Sequence, residues 1–469
     1  MHVEKFNVVQ KQLDSVSPSF CLAKWLQVTI DLQKGTCHSC HHPQRHYIPL
    51  QEVLSNPSAL HNTSIKKEFR RQMLEGIRPY ECEFCWGLED TEGNHVSDRI
   101  MKSADSWAWP SFNKIKKSSW KDDFNPTYLE VLFSNKCQLS CIYCSADISS
   151  AIDNEIKQFG PFILPDACFR HFKHENVINH QYGNPYLEAF WKWFPTILPD
   201  LHFFRITGGE PLITDSTFKA LDEIDKKPSP HLTLAINSNL HITKAKFYNF
   251  TAKIKKLILE KKIKDFHLYA SIDTDGKQAE YIRHGLNYNL FMDNFNYFCS
   301  EVPEALTVIM CTYHILAIPN FNQLLTNVLN IKKMNLNVII DICPLNHPNV
   351  LNIKIGTPEL YKIVKQDLSF MQQNILTDKN PNGFSQYEVD KMERIYNLTQ
   401  NKSPDNEIEE FRQAFFQFIT EYDRRKQTSF VEVFPELKSF YYTCKKKYFC
   451  SLMKPVKNTV HNNSTQNVR

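Results

Sequence analysis

Glycine is scarce in this chain, 12 residues of 469, and Gly208-Gly209 is its one Gly-Gly pair. No apolar run approaches the roughly 20 residues that a membrane-spanning helix needs. The N-terminus, Met1-His-Val-Glu-Lys-Phe6, lacks the charged-then-apolar pattern of a secretory signal. The expectation is therefore a soluble, cytoplasmic protein with no membrane partner. Charge of one sign is lacking too: a net +4 is too small to imply a nucleic-acid partner. No internal repeat of the solenoid type is evident.

What is present is a core-forming composition, 42% hydrophobic and 13% aromatic, in a length that can hold two or three domains. Cysteine is plentiful, with 14 residues. Without a secretory signal these argue for metal ligation and free thiols over disulfides.

Cys137, Cys141 and Cys144 stand in Phe133-Ser-Asn-Lys-Cys-Gln-Leu-Ser-Cys-Ile-Tyr-Cys144, a C-x3-C-x2-C run directly after a strand-like segment. Soft thiolates bind iron strongly, and three on one tight loop suit an iron–sulfur cluster. Three is one fewer than full ligation by protein needs, so one iron would be open to another ligand. A cysteine-rich loop without metal and part of a zinc site are the plainer alternatives.

This spacing, with Tyr143 before the last cysteine, resembles the signature of the radical S-adenosylmethionine (SAM) superfamily. The resemblance implies a 4Fe-4S cluster whose open iron binds the amino and carboxylate groups of SAM. An electron passed through the cluster then cleaves the sulfonium and leaves a 5′-deoxyadenosyl radical, which takes a hydrogen from substrate. An external donor, flavodoxin- or ferredoxin-like, would supply that electron.

Phe203-Phe-Arg-Ile-Thr-Gly-Gly-Glu-Pro-Leu212 follows in the expected order. Its Gly208, Gly209 and Glu210 look like the family's GGEP element, which meets the SAM amino group. Two glycines at a strand end permit positive φ and a close backbone approach to a ligand. An ordinary strand-to-helix turn is the bland alternative.

Six strand-like runs at βα spacing, Tyr128–Phe133, His202–Thr207, Leu232–Asn239, His267–Asp273, Leu306–Thr312 and Asn337–Cys343, predict a parallel sheet with outer helices. Amphipathic segments such as Lys244–Lys261 and Phe321–Met334 separate several of them. Polar residues gather at the strand C-terminal ends, where barrel folds place their sites: Asn237 and Ser238, Ser271 and Asp273, and Thr312. By resemblance these ends contact the SAM ribose and methionine groups. In Ala279-Glu-Tyr-Ile-Arg-His-Gly285 the resemblance gives Arg283 the SAM carboxylate, a role its fork suits. A surface salt bridge is the alternative for Arg283.

A second cysteine group, Cys21, Cys37, Cys40, Cys82 and Cys85, precedes these strands. Its two C-x2-C units read as a zinc ribbon, although the gap from Cys40 to Cys82 is long for one. The other reading is an auxiliary iron–sulfur cluster. The spacing Cys21, Gly35, Cys40 and a distant C-x2-C resembles a twitch domain, a shortened SPASM domain. The resemblance makes Cys21, Cys40, Cys82 and Cys85 the ligands of a second 4Fe-4S cluster and leaves Cys37 spare. Trp86–Arg99, ending in Ser97-Asp98-Arg99, looks like the close of such a domain. A twitch domain normally follows the barrel; here it precedes it. His38, His41, His42 and His46 crowd the same loop as hydrogen-bonding or exposed groups, not ligands.

The expected fold is α/β, a partial (β/α)6 radical SAM barrel with a small cysteine-rich α+β domain before it and helices after it. The boundaries are 1–105 for the auxiliary domain and 125–348 for the barrel, with an insertion at 146–200. A helical region follows at 357–440 and a basic tail at 441–469, the latter read as solvated and partly disordered. The aromatic segment Tyr186–Phe194 reads as core. Cys311 and Cys343 read as core residues in apolar strands. The expected substrate is a peptide or protein, with a small metabolite or nucleotide sugar as the alternative. From a different class, the rival is a zinc-ribbon binding module joined to an inactive barrel.

Overall fold

In a computed structural model the described residues are 2–91, 96–164, 183–334, 337–400 and 404–452. The strands are β1 (Gln27–Asp31), β2 (Thr36–His38), β3 (His46–Tyr47), β4 (Tyr128–Leu132), β5 (Ser140–Cys141), β6 (Phe203–Thr207), β7 (Ser229–Ser238), β8 (Ile263–Ser271), β9 (Arg283–His284), β10 (Leu306–Tyr313) and β11 (Val338–Pro344). Nine of them form one sheet in the order β11-β10-β8-β7-β6-β4-β1-β2-β3, and β5 pairs with β9 apart from it.

The six strands read from the sequence are β4, β6, β7, β8, β10 and β11. They lie side by side in chain order and all run parallel. Side-chain alternation divides their two faces. On β8, Phe266, Leu268 and Ala270 are fully buried, whereas Tyr269 and Ser271 on the other face are half-buried. Helices Asp215–Lys226, Lys244–Leu259, Tyr288–Glu301 and Phe321–Lys332 follow successive strands and bury apolar stripes in the same core.

The cysteine-rich N-terminal segment is not confined to a sheet of its own. β1 pairs parallel to β4, with Thr29 opposite Glu130 and Asp31 opposite Leu132, so it adds a seventh parallel strand. The antiparallel pair β2–β3 continues the sheet to its edge. Gln27-Val-Thr-Ile-Asp31 is a five-residue strand, short enough that the cysteine spacing around it hides its alternation. Gly35 turns the chain from β1 to β2 at φ +65°, and a Cβ there would stand 2.2 Å from the Tyr186 ring. This segment still packs a core of its own around Phe20, Leu22, Trp25, Trp86 and Ile100.

The aromatic run lies in helix Pro185–Ile197, and Phe190, Trp193, Phe194 and Ile197 are buried. Each such side chain contributes about 1.5–3 kcal/mol through burial. Helices Pro358–Gln373, Gln386–Gln400 and Asp405–Lys426 fill the C-terminal region. The first part of the expected tail is ordered: helix Lys438–Leu452 buries Cys444 and sets Tyr448 against Phe416. Cys168 and residues 453–469 lie outside the described residues. Among the described residues, no helix is long and apolar enough to cross a membrane.

Candidate functional site

The loop after β4 carries Cys137, Cys141 and Cys144, and all three thiols line one cavity of about 750 Å³. Backbone bonds fix the loop on both sides. The Cys144 N–H donates to the Cys141 carbonyl at 2.9 Å, and the Ile142 N–H donates to the Ile282 carbonyl at 2.8 Å. Cys141 pairs with Arg283 across the β5–β9 ladder. Burial raises all three thiols, Cys141 to about 12, so they hold their protons until a cation takes their place.

Gly208 and Gly209 line the same cavity, and their closest neighbours are the backbone of the cysteine loop. Gly208 has φ +118°, and a Cβ on Gly209 would stand 2.3 Å from the Lys136 carbonyl oxygen. The Gly209 N–H donates to the Ser134 carbonyl at 3.0 Å, and the Glu210 N–H donates to that of Lys136 at 2.8 Å. The close approach expected for a ligand is thus also an approach of the chain to itself.

Glu210 is buried and does not line the cavity. Its carboxylate accepts from the Ser238 hydroxyl at 2.8 Å, the Asn239 N–H at 2.7 Å and the Leu212 N–H at 3.0 Å. Burial pushes this carboxyl up to about 7, and those hydrogen bonds pull the other way. Glu210 braces the end of β7, where Ser238 and Asn237 do face the cavity.

Ser271, Thr312 and Arg283 line the cavity, and Asp273 lies beneath them, fully buried. Arg283 is not on the surface. Its Nε and Nη2 reach the two Asp273 oxygens at 2.8 and 3.0 Å. The Tyr143 hydroxyl and the Thr312 N–H also donate to Asp273, each at 2.9 Å.

Beside this cavity lies a larger chamber of about 1240 Å³, and Ile148, Thr207, Gly208 and Asn237 belong to the walls of both. Its floor is a row of side chains on one sheet face. Thr29 on β1, Glu130 on β4 and Arg205 on β6 stand in register, as do Asp31, Leu132 and Thr207 on the same strands. Arg205 donates from Nε to Asn237 Oδ1 at 2.9 Å and lies 4.4 Å over the Tyr269 ring. The Thr29 and Thr36 hydroxyls and Glu130 Oε2 are buried without a hydrogen-bond partner, and all three residues face the chamber. Buried polar atoms of this kind call for water or a polar ligand. The patterning signal for these residues was a charge in the middle of each apolar run, Tyr128-Leu-Glu-Val-Leu132 and Phe203-Phe-Arg-Ile-Thr207.

Cys21, Cys40, Cys82 and Cys85 line a third cavity, of about 400 Å³, whereas Cys37 lies on β2 with its thiol 3.3 Å from His46 Nε2. Burial raises the four thiols, Cys82 to about 11 and Cys85 to about 12. Glu89 joins the end of this segment together: it accepts from the Ser97 hydroxyl, and from Arg99 Nε at 2.8 Å. The loop after β2 divides this cavity from the chamber. Its Cys40, His42 and Pro43 line the thiol cavity, whereas its His41 and Arg45, with His38 at the end of β2, line the chamber. Burial lowers His38 to about 4, so its imidazole is neutral near pH 7. Among the described residues, no three His, Cys, Asp or Glu side chains are already drawn together around a single-ion position.

The donor sets fit the groups expected from the resemblance. Three thiols line one cavity, with hydroxyl and amide groups on its walls. Four thiols line the other cavity.

No family model matches the chain, and no curated protein matches it. Two crystal structures of Streptococcus suis SuiB, one bound to the precursor peptide SuiA and one to S-adenosylmethionine, align with it at 13% identity. Each alignment covers 75% of this chain and 70% of that one, with a TM-score of 0.34. A likeness this slight leaves the functional reading to the chain's own residues.

Proposed function

We propose that this chain is a radical SAM enzyme that modifies a substrate held in the chamber between its two cysteine cavities. The observation that carries the reading is the shared wall. The cavity of Cys137, Cys141 and Cys144 meets the chamber at Thr207, Gly208 and Asn237, so a radical formed in the first would face a substrate in the second. When bound, a 4Fe-4S cluster and SAM supply one-electron cleavage of the sulfonium. Cys137, Cys141 and Cys144 would hold that cluster, and an external flavodoxin- or ferredoxin-like donor would supply its electron. Gly208 and Gly209 let the cysteine loop sit close to the end of β6, and Ser238, Asn237, Ser271 and Thr312 offer hydrogen bonds to SAM. Glu210 and Asp273 act from beneath: Glu210 braces the end of β7, and Asp273 orients Arg283 and Tyr143. Cys21, Cys40, Cys82 and Cys85 hold a second 4Fe-4S cluster behind the His38–Arg45 loop.

The chamber favours a small polar molecule over the peptide expected from the resemblance. Asp31, Glu130, Arg45 and Arg205 give its wall both signs of charge, and the unpartnered oxygens of Thr29, Thr36 and Glu130 ask for hydrogen-bond donors.

The test is anaerobic incubation of iron- and sulfide-reconstituted protein with SAM and dithionite, following 5′-deoxyadenosine. The wild type is expected to form it and Cys141→Ala to form none. Cleavage retained by Cys141→Ala would overturn the assignment.

A further inference from the structure

We propose that Lys24 is a fixed buried cation that makes the group held by Cys21, Cys40, Cys82 and Cys85 easier to reduce. The inference rests on reading those cysteines as a cluster site. Lys24 lies on the short helix Ala23–Leu26, and its side chain is 1% exposed. It lines the same cavity as the four thiols. Its ammonium pairs with Glu81, which is equally buried and precedes Cys82 in the chain. Lys24 lines the cavity and Glu81 does not, and at Cys82 the charge of Lys24 outweighs that of Glu81. The other Glu81 oxygen lies 3.5 Å from His46 Nδ1.

Arg99 lines the same cavity, its side chain 3% exposed and held by Glu89 at 2.8 Å and Asp14 at 3.0 Å. Lys24 and Arg99 thus face the thiols together with one lining carboxylate, Asp98. One added electron makes a thiolate-ligated cluster one unit more negative, and a cation fixed in a poorly screened interior stabilises that state more than the oxidised one. The Lys24 charge is the same in both redox states, so no proton transfer is involved.

Lys24→Met alone would leave the buried Glu81 carboxylate without its lysine partner and endanger folding. The deciding variant is therefore Lys24→Met with Glu81→Gln, which removes both charges at similar size. It is made in the full-length chain carrying Cys137→Ala, Cys141→Ala and Cys144→Ala, so that only the N-terminal site can load. The readout is the midpoint potential from a redox titration followed by electron paramagnetic resonance, with iron counted in each sample. The double variant is expected to shift to a more negative midpoint at unchanged iron content. Glu81→Gln alone should shift the other way, and Lys24→Arg should stay near the parent. A merely structural role would change iron content or melting temperature and leave the midpoint in place. An unmoved midpoint in the iron-loaded double variant overturns the inference alone. A parent chain with no iron at these cysteines overturns it together with the cluster reading.

Discussion

Arg283 grips both oxygens of Asp273, at 2.8 and 3.0 Å, while its backbone pairs with Cys141 across the β5–β9 ladder. One buried carboxylate thus ties the cysteine loop to the end of β8, and Tyr143 joins it from the loop itself. Asp273→Asn leaves the Arg283 charge buried without its partner, a loss of about 3–5 kcal/mol. Denaturant unfolding of the metal-free protein should show that loss, and SAM cleavage by the reconstituted variant should fall with it. A stability unchanged from wild type would mean that the pair is not holding the loop.

Gly209→Ala should expel the cysteine loop from its position. The added Cβ meets Lys136 and Asn135 backbone atoms at 2.3–2.7 Å, and backbone cannot swing aside as a flexible side chain can. Iron content at the Cys137, Cys141 and Cys144 site should drop while the N-terminal iron stays. Gly87→Ala is the control: that helical position has nothing within 4 Å of the added Cβ, and it should stabilise by roughly 0.5–1 kcal/mol.

The last turn of helix Asp405–Lys426 clamps the same loop. Lys426 reaches the Ser140 hydroxyl, one residue before Cys141, and the Glu155 carboxylate. Arg425 stands 3.8 Å from the other Glu155 oxygen. Lys426→Met should cost about 1–3 kcal/mol and speed iron loss from the Cys137, Cys141 and Cys144 site on exposure to a chelator. Iron release at the wild-type rate would separate the C-terminal helices from cluster retention.

Asp367 is fully buried, and neither of its oxygens has a hydrogen-bond partner. Burial raises its carboxyl from 3.8 to about 7. The folded state therefore binds more protons than the unfolded one between those values, and stability falls as pH rises through that window. Asp367→Asn removes the penalty, so its gain should be slight near pH 4 and grow to at most about 4 kcal/mol by about pH 8. Unfolding curves at the two pH values check this; an equal gain at both would contradict it.

Six strands were legible in the sequence because apolar runs at βα spacing carry their own punctuation, and each is observed within a few residues of its predicted bounds. β1 was hidden among the cysteine spacings around it, and β2 and β3, of three and two residues, give too few alternations to separate from loop. The three thiols line one cavity with Asn237, Ser238, Ser271 and Thr312. The hidden roles were those set by depth. No spacing tells that Glu210 and Asp273 lie under the cavity wall, or that Arg283 spends its fork on a carboxylate of the protein. The chamber was hidden for a related reason: its floor brings together Thr29, Glu130 and Arg205, which are far apart in the chain and become neighbours only through strand register.

The N-terminal cysteine group precedes the other in sequence, yet strand order brings it beside the same chamber. β1 lies beside β4 in the continuous sheet, which brings the His38–Arg45 loop to the rim of the chamber. The two cysteine cavities therefore flank one chamber although the N-terminal group comes first in sequence.

Iron and sulfide counted per chain after anaerobic reconstitution test the account most directly. Three proteins are compared: the wild type, the Cys137, Cys141 and Cys144 triple alanine variant, and the Cys21, Cys40, Cys82 and Cys85 quadruple alanine variant. The account predicts about eight irons in the first and about four in each of the others. About four irons with one zinc in the wild type would make the N-terminal site a structural zinc module, and no iron in any of the three would contradict the enzyme reading altogether.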